Sequence, residues 1–368
     1  MSSSVPTLGV EEEYQIVDAE SRELRPRARQ MMPEARSLGG DEVQHELYQS
    51  QIEIATKVCG TLAEARAELV RLRRAVVEAA AKDGGRILAS GTHPFSQWDE
   101  QQVTPKERYR TTALQYQQLA RELIICGCHV HVAVPDKGAG VEVINRTRHW
   151  LAPLLALASN SPYWVGDDTG YASFRTQLWN RFPISGPPGA FASFEDYQEL
   201  TRELVATDAI QDETRIYWDM RLPAHIETVE FRVSDVCSTI DEAVMIAGLC
   251  RGLVRTALDD AAAGTPVRPV RLELLRSAHW RAARYGTEKD LVDIEQMTVV
   301  PARELIGRLL QRLRPALEEM GDWEQVSGLV ERTLRDGTGA RRQREAYRRE
   351  GTMTGVVDFI LAETVKEL

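Results

Sequence analysis

Four segments of this chain alternate apolar with ionisable residues at a period of two: "GVEEEYQIV" (9–17), "QIEIAT" (51–56), "GCHVHVAV" (127–134) and "ETVEFRVS" (227–234). Successive side chains on a β-strand point to opposite faces, so each segment reads as a strand with one apolar and one polar face. In the first, Glu11, Glu13 and Gln15 share a face, while Val10, Tyr14 and Ile16 take the other. Ile52 and Ile54 oppose Glu53; His129 and His131 point away from the apolar and cysteine positions 126, 128, 130, 132 and 134. Val229, Phe231 and Val233 face a core, and Thr228, Glu230, Arg232 and Ser234 face away. Carboxylates aimed at one place raise each other's pKa unless a cation or a basic partner neutralises them.

If these strands form one antiparallel sheet, their apolar faces pack under helices and their polar faces line a common cavity. The expected fold class is therefore α+β. Glu11, Glu13, Glu53 and Glu230 with a histidine make an oxygen-rich set, which suits Mg²⁺ or Mn²⁺ better than zinc. Any one of these glutamates alone reads as a solvated strand face; the coincidence of four segments carries the inference. The HVH pair could supply two zinc ligands, but no third histidine is near in sequence. His131 could equally be a satisfied pocket residue. Arg232 could pair with a neighbouring carboxylate or fork onto a phosphate or substrate carboxylate.

The remainder of the chain supplies helices and one long loop. "TLAEARAELVRLRRAVVEAAAKDGG" (61–85) has a capping box at Thr61 and Glu64, a stripe of Leu62, Leu69, Leu72, Val76 and Val77, and a Gly84-Gly85 stop. A second capping box is expected at Thr104 and Glu107, with Pro105 at the first helical position. "DAESRELRPRA" reads as a turn and a return strand, and "VEVINRTRHWLAPLLALASNSP" (141–162) as a helix. Residues 160–193, rich in Gly, Pro and aromatics, read as a lid or binding loop. From Asp241 onward the pattern is mainly helical. No repeat or domain boundary stands out, so 1–368 reads as a single domain.

Composition narrows the class. The 368 residues carry 45 Lys+Arg against 55 Asp+Glu, a net charge of -10, which argues against nucleic acid or an anionic membrane as partner. No window has the roughly 18 continuous apolar residues of a membrane span, and the start has no signal-peptide pattern, so a cytoplasmic location is expected. Five cysteines at 59, 126, 128, 237 and 250 suit free buried thiols. GxxxxGK[ST], GxGxxG after a strand, HExxH and GxSxG are all absent, so any nucleotide would be held through metal and side chains.

The segments "GVEEEYQIVD", "QSQIEIAT", "GCHVHVAVPD", "LASNSPYWVGDDTGYASFRTQLWNRFPISGPP", "TVEFRVSD", "WRAARYG" and "GARRQREAY" run in order over nearly the whole chain. Together they resemble the carboxylate-amine ligases of the glutamate-cysteine ligase type 2 group, within the glutamine synthetase-like superfamily. The resemblance implies a curved, mainly antiparallel sheet forming a funnel, walled by helices, with ATP and Mg²⁺ on its concave face. It implies that ATP phosphorylates a substrate carboxylate and that an amine then attacks the acyl phosphate. Carried over by position, Glu11, Glu13, Glu53, His129 and Glu230 would be metal ligands, with Glu53 and Glu230 needed for turnover, and Arg232 would stabilise the transferring phosphoryl group. Arg175 and Arg181 would contact phosphate or substrate carboxylate from the 160–193 segment. His131, Tyr171 and Trp164 would face the substrate, or Tyr171 and Trp164 would simply pack the loop.

The chain departs from the family pattern at Ala133, Leu222-Pro223 and Ala278. The small-molecule acid and amine stay open, as do the general base and association into a homo-oligomer. Two competing readings use the same residues. A metal-dependent amide hydrolase would turn over without nucleotide, and a non-catalytic binding protein would keep the fold alone.

Overall fold

The computed structural model describes residues 5–368. The register of one long strand, Leu8–Asp18, organises the molecule. One of its edges pairs with Gln51–Ala55; the other is shared, with Leu8 to Glu12 on Gly127–Ala133 and Gln15 to Asp18 on Gly85–Leu88. The resulting seven-stranded antiparallel sheet runs in the order 220–221, 228–235, 127–133, 8–18, 51–55, 43–45, with 85–88 as the branch. Glu13 lies opposite Glu53, Glu11 opposite His129, and His131 opposite Glu230. A slip of one residue in any pairing would send these groups into the core, so the apolar alternation fixes the polar cluster.

The other face is dry. Val10, Tyr14, Ile16, Ile52, Ile54, Val130, Val132, Val229 and Phe231 are buried beneath the helices Leu62–Lys82 and Ile240–Ala262. The first helix buries Leu62, Leu69, Leu72 and Val76 and leaves Val77 half-buried. Its Thr61 hydroxyl accepts from the Glu64 N–H at 3.1 Å, but the Glu64 carboxylate accepts from Gly60, so only half of the expected box forms. The second is apolar on nearly every side, as a fully packed helix must be, and opens with a reciprocal capping box at Thr239 and Glu242. A Cβ at Gly248 would collide with Val326 and crowd Leu62, so glycine sets how closely the three helices approach.

Glu12 breaks the alternation. It points into the core, where its carboxylate meets Arg73 at 2.6 Å and the Tyr14 hydroxyl, with all three side chains excluded from water. Arg73 also donates to the carbonyls of Ser238 and Cys237, so the buried charge pair is fully bonded.

Several local expectations differ. The return strand after residue 18 shrinks to one bridge, Val17 to Leu24, because the chain enters a helix at Ala28. The helix expected from Thr104 starts at Glu107 with Lys106 as cap; Thr104 is held by its backbone N–H on Leu47 and its hydroxyl is unbonded. That helix ends at Tyr116, where Gln117 takes φ +47°. Residues 160–193 are folded: a hairpin (163–164 with 167–168), the helix Phe174–Trp179, and a parallel pairing of 185–186 with 217–218. After residue 240 the chain is mainly helical, with an irregular link at 263–271 and the hairpin 290–293 with 298–301. All five cysteines are free and buried. Among the described residues, no helix is long and apolar enough to cross a membrane.

Candidate active site

The polar face gathers five carboxylates with unequal partners. Glu230 is almost fully buried and is held by two arginines: Arg221 donates to both of its oxygens, at 2.7 and 3.2 Å, and Arg232 bonds Oε1 as well. Burial works against ionising Glu230, but Arg232 and Arg221 outweigh it and hold the carboxyl far below its usual range. Glu11 faces two imidazoles, His129 Nδ1 at 3.2 Å and His131 Nε2 at 3.1 Å. Burial again opposes the charge, and the bonds from these histidines hold Glu11 well below an ordinary glutamate. Glu13 accepts from the Gly127 N–H at 2.6 Å.

Glu53 and Glu46 have no arginine on them. Burial, with Glu11, Glu46 and Glu13 as like-charged neighbours, pushes Glu53 well above the usual carboxylate range. Burial and Glu13 push Glu46 up to about 7, although it accepts from the Leu47 N–H at 2.7 Å. Burial and Arg232 push His129 down, whereas His131 is raised, because Glu11 outweighs its desolvation.

Beside this face lies a cavity of about 120 Å³, walled by Glu13, Glu46 and His129 and by four arginines, Arg108, Arg175, Arg215 and Arg232. Trp179, Phe182, Tyr109 and Tyr217 complete it. The Arg232 guanidinium lies 5.6 Å from the centre of the Trp179 ring, which orients it between the ring and Glu230. Arg175 is buried, yet its guanidinium reaches only the Arg232 carbonyl, at 3.5 Å, and its Nε has no partner.

The donor set fits a hard divalent cation. One ligand atom each from Glu11, His131 and Glu230 lie within 4.8 Å of one another. His129 Nε2 is buried without a hydrogen bond, and His131 Nε2 meets only Glu11 Oε1, at 3.1 Å. Glu53 and Glu13 add carboxylates that carry no arginine ion pair, and a bound cation would reverse the upward push on Glu53. The trio contains His131, which the sequence pattern assigned to substrate, in place of His129.

Of the residues singled out in the sequence, Glu11, Glu13, Glu53, His129, His131, Glu230 and Arg232 converge on one face, with Arg175 beside them. Arg181, Tyr171 and Trp164 do not line the cavity. Arg181 is paired with Glu122; Tyr171 accepts from Trp280 Nε1 at 3.2 Å and lies under Arg284; Trp164 packs against Phe174. The period-two pattern missed Glu46, Arg108, Arg215 and Arg221: Arg108 lies on the helix Glu107–Tyr116, Arg215 on one 3-10 turn, and Glu46 and Arg221 on irregular or two-residue segments, so none shows a period of two. Trp179 was visible only as one aromatic among many in the loop.

Comparison with known proteins gives the family and the fold. The family model described as "Glutamate-cysteine ligase family 2(GCS2)" matches residues 7–363. A Rhodopirellula baltica protein with a provisional glutamate–cysteine ligase 2 name is 44% identical over 370 residues, covering 99% of this chain and 98% of its own. A Frankia casuarinae relative with a similar name is 42% identical over 98% of this chain, which spans only 42% of that longer protein. Among solved structures, glutamate–cysteine ligase from Francisella tularensis, in complex with AMP, superposes with a TM-score of 0.75 at 14% identity, over 99% of this chain and 89% of that one. The bifunctional glutathione synthetase of Pasteurella multocida gives 0.72 at 17% identity, over 98% and 52%. At these identities the structural likeness establishes a shared fold. The chain belongs to glutamate–cysteine ligase family 2, and so to the ATP-dependent carboxylate–amine ligases.

Proposed function

We propose that this chain joins a small carboxylic acid to an amine through an acyl phosphate, with Glu11, Glu13, Glu53, Glu230 and a histidine holding Mg²⁺ against ATP. The observation that carries the reading is the convergence of carboxylates lacking an arginine partner with Arg232 and the unpaired Arg175 around one cavity. Phosphoryl transfer needs positioning and charge neutralisation more than covalent chemistry by the protein. Bound Mg²⁺ would neutralise phosphate oxygens and leave the γ-phosphoryl group open to attack by a carboxylate.

The residues have distinct parts in this scheme. Arg232, fixed by Glu230 and the Trp179 ring, neutralises charge on the phosphoryl group in flight. Arg175, with Arg108 nearby, holds an anionic group of the acid in the cavity. Glu46, whose carboxyl is pushed up to about 7, faces the same space and is placed to accept a proton from an attacking amine. The described chain acts as one catalytic domain, with 160–193 covering the cavity, and its work is cytoplasmic. His129 lies beside the Glu11–His131–Glu230 trio and serves as an alternate metal ligand.

The test is ADP release from ATP and Mg²⁺ in the presence of a panel of acids and amines that includes glutamate and cysteine. Release that requires both an acid and an amine supports the reading; none across the panel contradicts it. The mixed nitrogen and oxygen character of the trio also suits a hydrolase with a transition metal. Metal analysis of the purified protein, with amide turnover in the absence of ATP, would favour that reading.

A further inference from the structure

Arg175 is a buried cation without an ion-pair partner among the described residues, so what holds it in place matters. It is the second residue of the short helix Phe174–Trp179, whose cap is Ser173. The Ser173 hydroxyl accepts from the Thr176 N–H at 3.3 Å and donates to Asp235 Oδ1 at 2.8 Å. The Ser161 hydroxyl accepts from the backbone N–H of Arg175 itself at 3.1 Å and donates to Asp235 Oδ2 at 2.7 Å. The Asn160 N–H donates to the same oxygen at 2.8 Å.

Asp235 is thus a fully buried carboxylate that clamps both ends of the 160–173 segment. It also ends the strand that carries Glu230 and Arg232, pairing there with Gly127. Glycine is needed at both neighbouring positions: a Cβ at Gly127 would strike the Arg175 guanidinium, and one at Gly91 would come within 2.8 Å of the Asp235 carboxyl carbon. The space is shaped around this acid and this arginine together. Burial pushes the Asp235 carboxyl above its usual range, and three donors with the nearby charge of Arg175 offset part of that push, an arrangement that only a fixed geometry sustains.

We infer that Asp235 is a positioning residue that acts through Ser161 and Ser173 to hold the Arg175 guanidinium in the cavity, where it binds an anionic group of the substrate. The inference rests on the ligase reading for the identity of that substrate, but not for the placement of Arg175.

The experiment titrates glutarate, a plain dicarboxylate probe, into the full chain with Mg²⁺ present and nucleotide absent. Wild type, Asp235→Asn, Arg175→Lys and the double variant are compared by calorimetry. Each single change is expected to weaken binding about tenfold, and the double variant to bind no worse than Arg175→Lys alone, because both act through one guanidinium. A residue that merely supports the fold would give losses that add, and additive losses overturn the inference. So does a wild-type protein that takes up no glutarate, or an Asp235→Asn variant that binds as wild type. If circular dichroism shows Asp235→Asn unfolded, Ser173→Ala in the same cycle carries the test. Failure of the ligase reading appears separately, as absent ADP release with the glutarate cycle intact.

Discussion

Glu13 and Glu53 sit directly opposite each other across the pairing of strands 8–18 and 51–55, and no arginine is ion-paired to either. Like charges in this position destabilise a sheet by several tenths of a kcal/mol to about 1 kcal/mol, and more where water is scarce. The fold tolerates the pair because one carboxyl stays protonated or because a cation lies between them.

This predicts opposite consequences for one substitution. Glu53→Gln should leave the melting temperature in EDTA unchanged or higher, since the charged form of Glu53 is disfavoured there. It should also abolish the rise in melting temperature that Mg²⁺ gives the wild type. Differential scanning fluorimetry in EDTA and in Mg²⁺ checks both halves; a marked loss of stability in EDTA would make Glu53 a structural residue.

Arg221 and Glu230 form a second pair with a readable energy. Glu230 is 1% exposed, and Arg221 fills both a bidentate bond to it and the carbonyls of Thr214 and Ile216. Removing one partner of a buried pair typically costs about 3 kcal/mol or more. Because Arg232 still pairs Glu230, Arg221→Met should lower stability in urea unfolding by less than that, about 1–3 kcal/mol, and lower turnover as well.

His93 gives the clearest dependence on pH. Its Nδ1 accepts from the N–H groups of Ser96 and Phe95 at 2.9 and 3.2 Å, so Nε2 carries the proton and donates to the Arg22 carbonyl at 2.9 Å. Every position of the neutral ring is satisfied, and protonation would set a third proton against two donors. Burial accordingly pushes His93 down to about 4 from 6.5. The unfolded chain binds this proton first as pH falls, so the stability His93 contributes is complete above about pH 6.5 and is lost progressively down to about pH 4. Between pH 7 and pH 5 the loss is about 2 kcal/mol. Urea unfolding of wild type and His93→Asn at the two pH values should show that loss in the wild type only.

Gly248 tests the packing beneath the sheet. A Cβ there meets Val326 and Leu62 at once, and overpacking a tight core costs about 1–3 kcal/mol. Gly248→Val should fall at or beyond the upper end of that range in chemical denaturation.

Much of this site was legible because a period of two is the strongest signal a strand can carry. Glu11, Glu13, Glu53, His129, His131, Glu230 and Arg232 all lie on strands with clean alternation, and all reach one face. Glu12 was not legible: its inward turn depends on Arg73, a helical residue 61 positions away. Glu46 and Arg221 escaped for a different reason, since Glu46 follows the strand Val43–His45 in irregular structure and the two-residue strand of Arg221 has no period to detect. Thr104 shows how a local capping motif yields to pairing at a distance, here with Leu47. Arg181 and Arg175 looked alike in sequence, six residues apart, and only the helix between them turned one toward the cavity and the other onto Glu122.

The most direct test of the account is calorimetric titration of a non-hydrolysable ATP analogue into the wild-type chain and Glu53→Gln, with and without Mg²⁺. The wild type should bind only with Mg²⁺ present, and Glu53→Gln should lose that binding. Binding of equal strength without Mg²⁺, or an unimpaired Glu53→Gln, would contradict the assignment of these glutamates to a metal that holds ATP.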